Sequence, residues 1–454
     1  MDSRFFIDHT GPGEHQRVAI SPVTTERELS SFPGAVSVCL ISVTIFIVAH
    51  FALLVGIATP EKFVFDEVHY VPAARQLLET SPTAPVLNPM HPPLAKQIMA
   101  LSIRALGDDS FGWRYPGIVF GALSLVAVYL CGLAVFRSHE PAIAAAVIAF
   151  FNQMLFVIAR TAMLDIYALG FGLLATAAFL HGYGRERPHL LFALAGVGFG
   201  LAAACKWSGL FPLGVCIAIV AAIRLMQNWR TEFADRRDTD WYRPGLWPDF
   251  RFYHFAACFV LAPALTYLAS FVALDGFSAS AIIEAQRRIF ADNTTSAIAG
   301  HTYMSSWPSW PFLVRPVWFL FDKVGDDRIA AVVLLGNPLV LWSALLAIAL
   351  AVYDFIATRR RDAFMVLSFY FGPYLAWALL PRTLGFIYYY LPAATFASLA
   401  LVYALRRFNA PRWLLWAYVA VAAAGFVVML PISAAFVGTT MQTFNRLMIF
   451  QSWI

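Results

Sequence analysis

The chain has 454 residues, of which 60% are hydrophobic and only 13% charged, with a formal net charge of +5 and a mean hydropathy of +0.68. Soluble domains carry about 25% charged residues, so this composition excludes a soluble globular enzyme and indicates a membrane protein with many spans. The positive charge does not indicate nucleic-acid binding, because the arginines fall in short clusters between apolar runs.

Apolar segments follow a polar N-terminal tail of residues 1–32 and predict about eleven transmembrane helices. Each is close to the length that crosses a hydrocarbon core of about 30 Å. The segments lie at about 33–58, 115–136, 140–158, 162–182, 189–205, 208–226, 254–274, 329–356, 364–380, 386–405 and 412–437. The predicted fold class is an all-α polytopic membrane protein, with a membrane domain at 33–437 and a tail at 438–454.

The distribution of arginines predicts the orientation of these spans. With a cytoplasmic N-terminus, the inside loops hold the arginine clusters, including six arginines between Arg224 and Arg251. Cytoplasmic loops carry an excess of basic residues. We therefore expect a multi-pass protein of the plasma (inner) membrane. Its C-terminal tail and its two long loops, 59–114 and 275–328, lie on the extracytoplasmic face.

The first long loop concentrates acids, histidines and prolines in FDEVHY (65–70) and HPPLAK (91–96). Asp66 and Glu67 are adjacent where the first span should reach the surface. Carboxylates at the mouth of a membrane bundle are costly unless they are paired or used, so they mark a candidate functional site. The alternative is an ordinary solvated loop.

Further ionisable residues fall at the same predicted face, on several spans. They are Arg114, Arg160, Asp165, Lys206, His301 and Arg382, and the run Tyr388-Tyr389-Tyr390 follows the last of them. Singly, Arg160 or Arg382 is also explained as an interfacial anchor, the tyrosines as part of an aromatic belt, and Asp165 as the partner of Arg160. Together they suit a reaction in which cations hold a lipid-linked phosphate while a carboxylate removes a proton from an incoming hydroxyl.

Other sequence features point away from different chemistry. The five cysteines lie inside apolar segments and form no CxxC pair, so a disulfide framework or a zinc site is not expected. Asp238-Thr239-Asp240 spells a DxD, but no GxGxxG, P-loop or alternating α/β pattern surrounds it. We therefore expect it to be connector sequence.

The motifs FDEVHY, HPPLAK, GWRYP, RTAMLD, CKWSGLF, HTYMSSWPSWPFLVRPVW, GNP and YYYLP follow one another between about residues 60 and 395. In this order and spacing they resemble the protein O-mannosyltransferase family, in its bacterial form. The resemblance implies a GT-C glycosyltransferase fold with an extracytoplasmic active site. It also implies a polyprenyl- or dolichyl-phosphate mannose donor and a Ser or Thr hydroxyl of a secreted or membrane protein as acceptor, joined in one inverting displacement.

The resemblance also implies roles for individual residues. Asp66 matches the general base and Glu67 a neighbour that positions acceptor or sugar. Lys206, Arg114, Arg160 and Arg382 match basic positions that bind the donor phosphate. The residues that would shape the site are His91, Pro92, Asp165, His301 and Tyr388.

Some points stay open in the sequence. A metal is not required by this chemistry, but Asp66, Glu67 and Asp165 are an alternative oxygen-ligand set for a divalent cation. The alternatives to protein mannosylation are a related transferase that acts on a lipid or polysaccharide, and a transporter of the lipid-linked sugar. Nothing in the sequence specifies the sugar or the oligomeric state.

Overall fold

Helices dominate the computed structural model, which describes residues 32–79, 86–229, 241–242, 245–294, 300–380, 384–435 and 439–454. Three features discussed above lie outside the described residues. They are the tail 1–31, the sequence Asp238-Thr239-Asp240, and Arg382.

Seventeen α-helices and three short strands are present in these described ranges. The helices are α1 (Ala35–Leu54), α2 (Glu67–Gln76), α3 (Leu94–Leu106), α4 (Ser110–Phe136), α5 (His139–Phe151), α6 (Gln153–Ala159), α7 (Leu164–Tyr183), α8 (His189–Cys205), α9 (Leu210–Trp229), α10 (Phe252–Ala256), α11 (Ala262–Asp275), α12 (Ala279–Thr294), α13 (Pro338–Thr358), α14 (Arg361–Leu379), α15 (Leu391–Arg407), α16 (Arg412–Met429) and α17 (Met441–Leu447). The strands are β1 (Val317–Lys323), β2 (Arg328–Leu334) and β3 (Thr439–Thr440).

The protein is a multi-pass membrane protein. Within the described residues, eight helical segments are long and apolar enough to cross a bilayer, and a ninth is counted if α5 and α6, bent by 67°, form one span. Each of the eleven predicted apolar segments contains a helix. The predicted count of eleven spans is nevertheless not confirmed, since α8 has only 17 residues and α14 is not among the qualifying spans.

One predicted boundary is wrong. The apolar run 329–356 was expected to be a single helix, but its first part is strand β2. Gly336 has a positive φ of 101°, Asn337 caps the next helix by accepting a hydrogen bond from the Leu339 N–H, and Pro338 begins α13. These three residues end one element and start another, and hydropathy alone does not register the change.

The long loops and the tail contain regular structure. Helices α2 and α3 lie in the loop 59–114, and α12 and β1 lie in the loop 275–328. Strands β1, β2 and β3 form an antiparallel sheet in that order, so the tail 438–454 is joined to the second loop through β3.

Chain direction brings the candidate site residues to one end of the helix bundle. Helix α7 starts just before Asp165, α8 ends just before Lys206, and α15 starts just after Tyr390. Because α7 and α8 run in opposite directions, the start of one lies beside the end of the other. At the same end, α4 packs closely against α6: a Cβ on Gly117 of α4 would lie 2.6 Å from the Ala159 carbonyl oxygen at the end of α6.

Candidate active site

Asp66 immediately precedes α2 and is half-buried. Its carboxylate does not cap the helix, and among the described residues only the Tyr70 hydroxyl donates a hydrogen bond to it, at 3.2 Å. Burial raises the pKa of Asp66, an effect opposed by the nearby Lys206 and reinforced by Asp165. A carboxylate with a raised pKa and a sparse hydrogen-bond shell is suited to accept a proton.

Tyr70 is a neutral donor in this arrangement. Burial raises its pKa well above the ordinary value, and the charge of Asp66 adds to the shift. The hydroxyl therefore keeps its proton and orients the Asp66 carboxylate.

Glu67, the next residue, is fully buried. One carboxylate oxygen accepts hydrogen bonds from the Arg114 Nε–H and the Ala162 N–H, and the other accepts from Arg114 Nη2–H and the Val64 N–H. All four bonds are 2.8–2.9 Å long. The carboxylate is saturated, so Glu67 joins α2, α4 and the turn before α7 instead of facing a substrate.

The structure corrects the prediction that Arg114 binds a phosphate. Besides its two bonds to Glu67, the guanidinium donates to the carbonyls of Ile57, Pro60 and Lys62. A guanidinium has five N–H groups, and all five are used. Arg114 holds the start of the first loop in place.

Arg160 also contacts the backbone, through one of its three guanidinium nitrogens. Its Nη1 group donates to the carbonyls of Leu53 and Val55 at the C-terminal end of α1, and its guanidinium lies over the Phe156 ring. A cation is favourable at a helix C-terminus. The alternative explanation of Asp165 as the partner of Arg160 is wrong, because Asp165 pairs with Lys206.

Lys206 and Asp165 form the ion pair at the centre of the site. The Lys206 ammonium donates to both carboxylate oxygens of Asp165, each at 2.8 Å. It lies 5.3 Å and 5.1 Å from the ring centroids of Tyr388 and Tyr389. Lys206 is extended between α8 and the 3-10 turn Trp207–Gly209, and this break in the helix turns the side chain toward Asp165.

An open, largely apolar pocket begins at Asp165 of this ion pair. It is lined by residues of α7, α9, α14 and α15, together with Tyr388 and Tyr389. On α7 the lining extends from Asp165 to Thr176, about 16 Å along the helix axis. The cavity therefore connects the charged end of the bundle with its membrane-embedded part.

The HPP segment borders the same region through Tyr70. His91, Pro92 and Pro93 are buried, and the His91 ring lies 6.0 Å from the Tyr70 ring. Lys96 fixes the segment by donating to the carbonyls of Asn88 and His91.

His301 and Tyr388 belong to an aromatic cluster beside Asp66. The exposed His301 ring lies 5.0 Å from Phe386 and 6.3 Å from Phe65. The buried Tyr388 ring lies 6.1 Å from Phe65. These contacts bring the second loop against the first.

Two of the three carboxylates in the alternative divalent-cation set already have partners. Glu67 has no acceptor position left, and both oxygens of Asp165 accept from Lys206. Across the described ranges, no group of three His, Cys, Asp or Glu residues is placed to hold a metal ion.

Sequence reasoning assigned no role to Tyr70, Tyr389 or Lys96. Tyr70 lies one helical turn after Asp66, a spacing that places the two side chains on one face and would have indicated their contact. The roles of Tyr389 and Lys96 depend on residues far away in the chain, so no local pattern reports them.

Two family models match the chain. The model for dolichyl-phosphate-mannose-protein mannosyltransferase matches residues 43–274, and the model for the C-terminal four-transmembrane region of protein O-mannosyltransferase matches residues 278–453. The polyprenol-phosphate-mannose–protein mannosyltransferase of Mycobacterium tuberculosis is 30% identical over 388 residues, covering 74% of this chain and 73% of that protein. The protein of the same name from Mycolicibacterium smegmatis is 27% identical over 393 residues, covering 72% and 73%.

Solved structures show the same fold. The S. cerevisiae protein O-mannosyltransferase Pmt1-Pmt2 complex bound to the sugar donor contains a chain that matches with a TM-score of 0.73 at 14% identity, covering 92% of this chain and 93% of that one. ArnT from Cupriavidus metallidurans bound to undecaprenyl phosphate matches with a TM-score of 0.56 at 14% identity, covering 87% and 71%. The expected GT-C fold is thus confirmed, and on the family models and the mycobacterial relative the chain belongs to the protein O-mannosyltransferase family.

Proposed function

We propose that this protein transfers a mannosyl residue from a polyprenyl-phosphate carrier to Ser or Thr hydroxyls of proteins. The observation that carries the proposal is the position of Asp66. Its carboxylate lies beside the Lys206–Asp165 pair, where a membrane-embedded apolar cavity begins. A proton acceptor, a cation and an apolar pocket therefore meet at one point, as transfer from a lipid carrier to an alcohol requires.

The proposed reaction is a single displacement in which Asp66 acts as the base. The acceptor oxygen attacks the anomeric carbon, and Asp66 takes the hydroxyl proton. The bond from that carbon to the phosphate oxygen breaks, and its electron pair leaves with the carrier phosphate. One carboxylate suffices because the leaving group departs as an anion, and attack opposite the phosphate inverts the anomeric centre.

Lys206 is the cation that we propose for the donor phosphate. Two of its three N–H groups donate to Asp165, and among the described residues no other side chain accepts from it. The remaining N–H and the positive charge are available to a phosphate oxygen, while Asp165 fixes the direction of the ammonium group. A desolvated cation contributes more to phosphate binding than an exposed one. No resident metal is part of this proposal.

The apolar cavity is the proposed site of the carrier lipid. The lining side chains on α7, including Ala168, Leu169 and Leu173, recur at helical spacing on one face below Asp165. A prenyl chain with its phosphate at Lys206 would extend along this face into the bilayer.

The acceptor approaches from the extracytoplasmic side in this proposal. The arginine distribution supports a cytoplasmic N-terminus in the plasma membrane, with the first loop outside. Asp66 is half-buried and His69, three residues later, is exposed, so α2 offers a route from water to the carboxylate.

The test is transfer of labelled mannose from polyprenyl-phosphate mannose in detergent, with a Ser/Thr-rich peptide or a membrane lipid extract as acceptor. Asp66→Asn should abolish transfer to the peptide without changing donor binding. Asp108→Asn is the matched control, because Asp108 lies in the same loop but pairs with Arg75. Transfer to lipid alone would show that the acceptor is a lipid and not a protein. An active Asp66→Asn enzyme would show that Asp66 is not the base.

A further inference from the structure

The residue before Asp66 has an unusual backbone. Phe65 has a φ of 45°, in the left-handed region that residues with a Cβ rarely adopt. Such a conformation persists only where the surroundings hold it, and it recurs at functional sites. Because Phe65 directly precedes Asp66, its backbone angles determine the direction in which the Asp66 side chain leaves the chain.

A second irregularity lies opposite Phe65. In the pairing of β1 with β2, Trp318 pairs with Val333 and Leu320 with Val332, so Phe319 is an extra residue in β1. This is a β-bulge, which withdraws one residue from the strand pairing and redirects its side chain.

The two irregular residues contact each other through backbone and side chain. The Phe65 N–H donates to the Phe319 carbonyl oxygen at 3.2 Å. The rings are stacked, with centroids 4.5 Å apart and an interplanar angle of 11°. Three residues earlier, Lys62 forms an ion pair with Asp322 of the same strand. The strand therefore holds the segment before Asp66 at two separate positions.

The Phe65 ring also contacts the wall of the donor site. Tyr388 packs edge-on to Phe65 at 6.1 Å, and the same tyrosine ring lies over the Lys206 ammonium. Phe65 thus lies between the strand of the second loop and the ring that lines the ion pair.

We propose that Phe65 is a positioning residue for Asp66, held in its left-handed conformation by the β-bulge at Phe319. The second loop thereby sets the direction of the carboxylate in the first. The inference rests on the proposed role of Asp66 as the base. Phe65 itself touches no reacting atom.

Two substitutions at Phe65 distinguish the effect of its ring from the effect of its backbone conformation. Phe65→Ala removes the stacking but keeps a Cβ, so the left-handed conformation loses its support and Asp66 turns away. Phe65→Gly also removes the ring, but glycine adopts the left-handed conformation without a steric cost. The glycine variant should therefore be more active than the alanine variant.

The experiment measures kcat, the donor KM and the pH dependence of kcat/KM for Phe65→Ala, Phe65→Gly, Phe319→Ala and Asp66→Asn. Phe65→Ala and Phe319→Ala should lower kcat by about tenfold or more, since small misplacements of a reacting group have effects of this size. The donor KM should change by no more than about twofold, because neither substitution removes Lys206 or a residue that lines the cavity. The acidic limb of the pH profile of kcat/KM should shift to lower pH in Phe65→Ala. In that variant the Asp66 carboxyl becomes more hydrated, which lowers its pKa.

Phe321→Ala is the matched control. Phe321 lies on the same strand but packs on Trp318 and Phe444, away from Phe65. If it lowers kcat as much as Phe319→Ala, the strand acts only through general stability and the inference fails. Equal activity of Phe65→Ala and Phe65→Gly, or an unshifted acidic limb in Phe65→Ala, would also overturn it.

The Asp66→Asn variant distinguishes a failure of the proposed role of Asp66 from a failure of the proposed role of Phe65. If it retains activity, the role of Asp66 fails, whatever the Phe65 variants do. If it is inactive while Phe65→Ala has full activity, only the positioning role fails. Should Phe65→Ala not fold, Phe65→Gly and Phe319→Leu test the same support, because Phe319→Leu removes the ring stacking while residue 65 keeps its own side chain.

Discussion

Glu67 and Arg114, 47 residues apart, form a buried bidentate ion pair with N–O distances of 2.8 and 2.9 Å. Neither partner has a hydrogen-bonding group to spare, so the pair joins α2 to α4 and is closed to ligands. Asp66, the adjacent residue, is left with a single hydroxyl donor among the described residues. The two neighbouring acids thus differ in availability. The Glu67 carboxylate accepts its full set of hydrogen bonds, whereas the Asp66 carboxylate can accept more.

Breaking this ion pair should lower stability without weakening donor binding. Arg114→Met leaves the Glu67 carboxylate buried without its partner, which costs about 3–5 kcal/mol. We expect a lower melting temperature in detergent and an unchanged donor Kd in the folded fraction. The double variant Glu67→Gln/Arg114→Met should recover part of the loss, because no charge remains unpaired. A donor Kd that rises while the melting temperature is unchanged would contradict this assignment.

Removing the charge of Lys206 should act on the donor instead. Lys206→Met eliminates the proposed phosphate contact, and we expect the donor KM to rise by about tenfold or more. Titration of the purified protein with polyprenyl phosphate measures the same loss directly. Arg160→Met is the comparison, since Arg160 caps α1 and should affect the melting temperature but not phosphate affinity. If Arg160→Met weakened phosphate binding and Lys206→Met did not, Arg160 would be the phosphate-binding residue instead of Lys206.

The pH dependence of transfer should report Asp66. Burial raises its pKa, and a base is active only when ionised, so kcat/KM should fall as the pH decreases through a value above the ordinary 3.8 of an aspartic acid. Tyr70→Phe removes a hydrogen bond that stabilises the charged carboxylate. The acidic limb of that variant should therefore move to higher pH. A shift to lower pH, or a limb that is identical in the two proteins, would contradict the contact.

Filling the apolar cavity should discriminate between donors by chain length. Ala168 lines the cavity about one turn below Asp165. In Ala168→Phe we expect the KM for a long-chain donor to rise by about tenfold, because the ring occupies part of the prenyl site. A donor with a strongly shortened prenyl chain should be affected much less. An equal effect on both donors would indicate a general disturbance of α7 and would place the lipid elsewhere.

Hydropathy predicted some elements of the fold and not others. Hydropathy located a helix in every predicted span, since apolar length is a property of the local sequence. It failed at 329–335, where a buried strand and the start of α13 form one apolar run. Hydropathy also cannot show that α5 and α6 bend by 67°, because a bend changes direction and not composition.

The sequence by itself determined the class of this protein, the face on which its ionisable residues gather, and the motifs that place it in its family. Residue type and order carry this information. Tertiary structure alone decided which charges are already paired: Arg114 with Glu67, Arg160 with the end of α1, and Lys206 with Asp165. The physical reason is that each pairing depends on a distance between residues up to 107 positions apart, which only the packing of the helices defines.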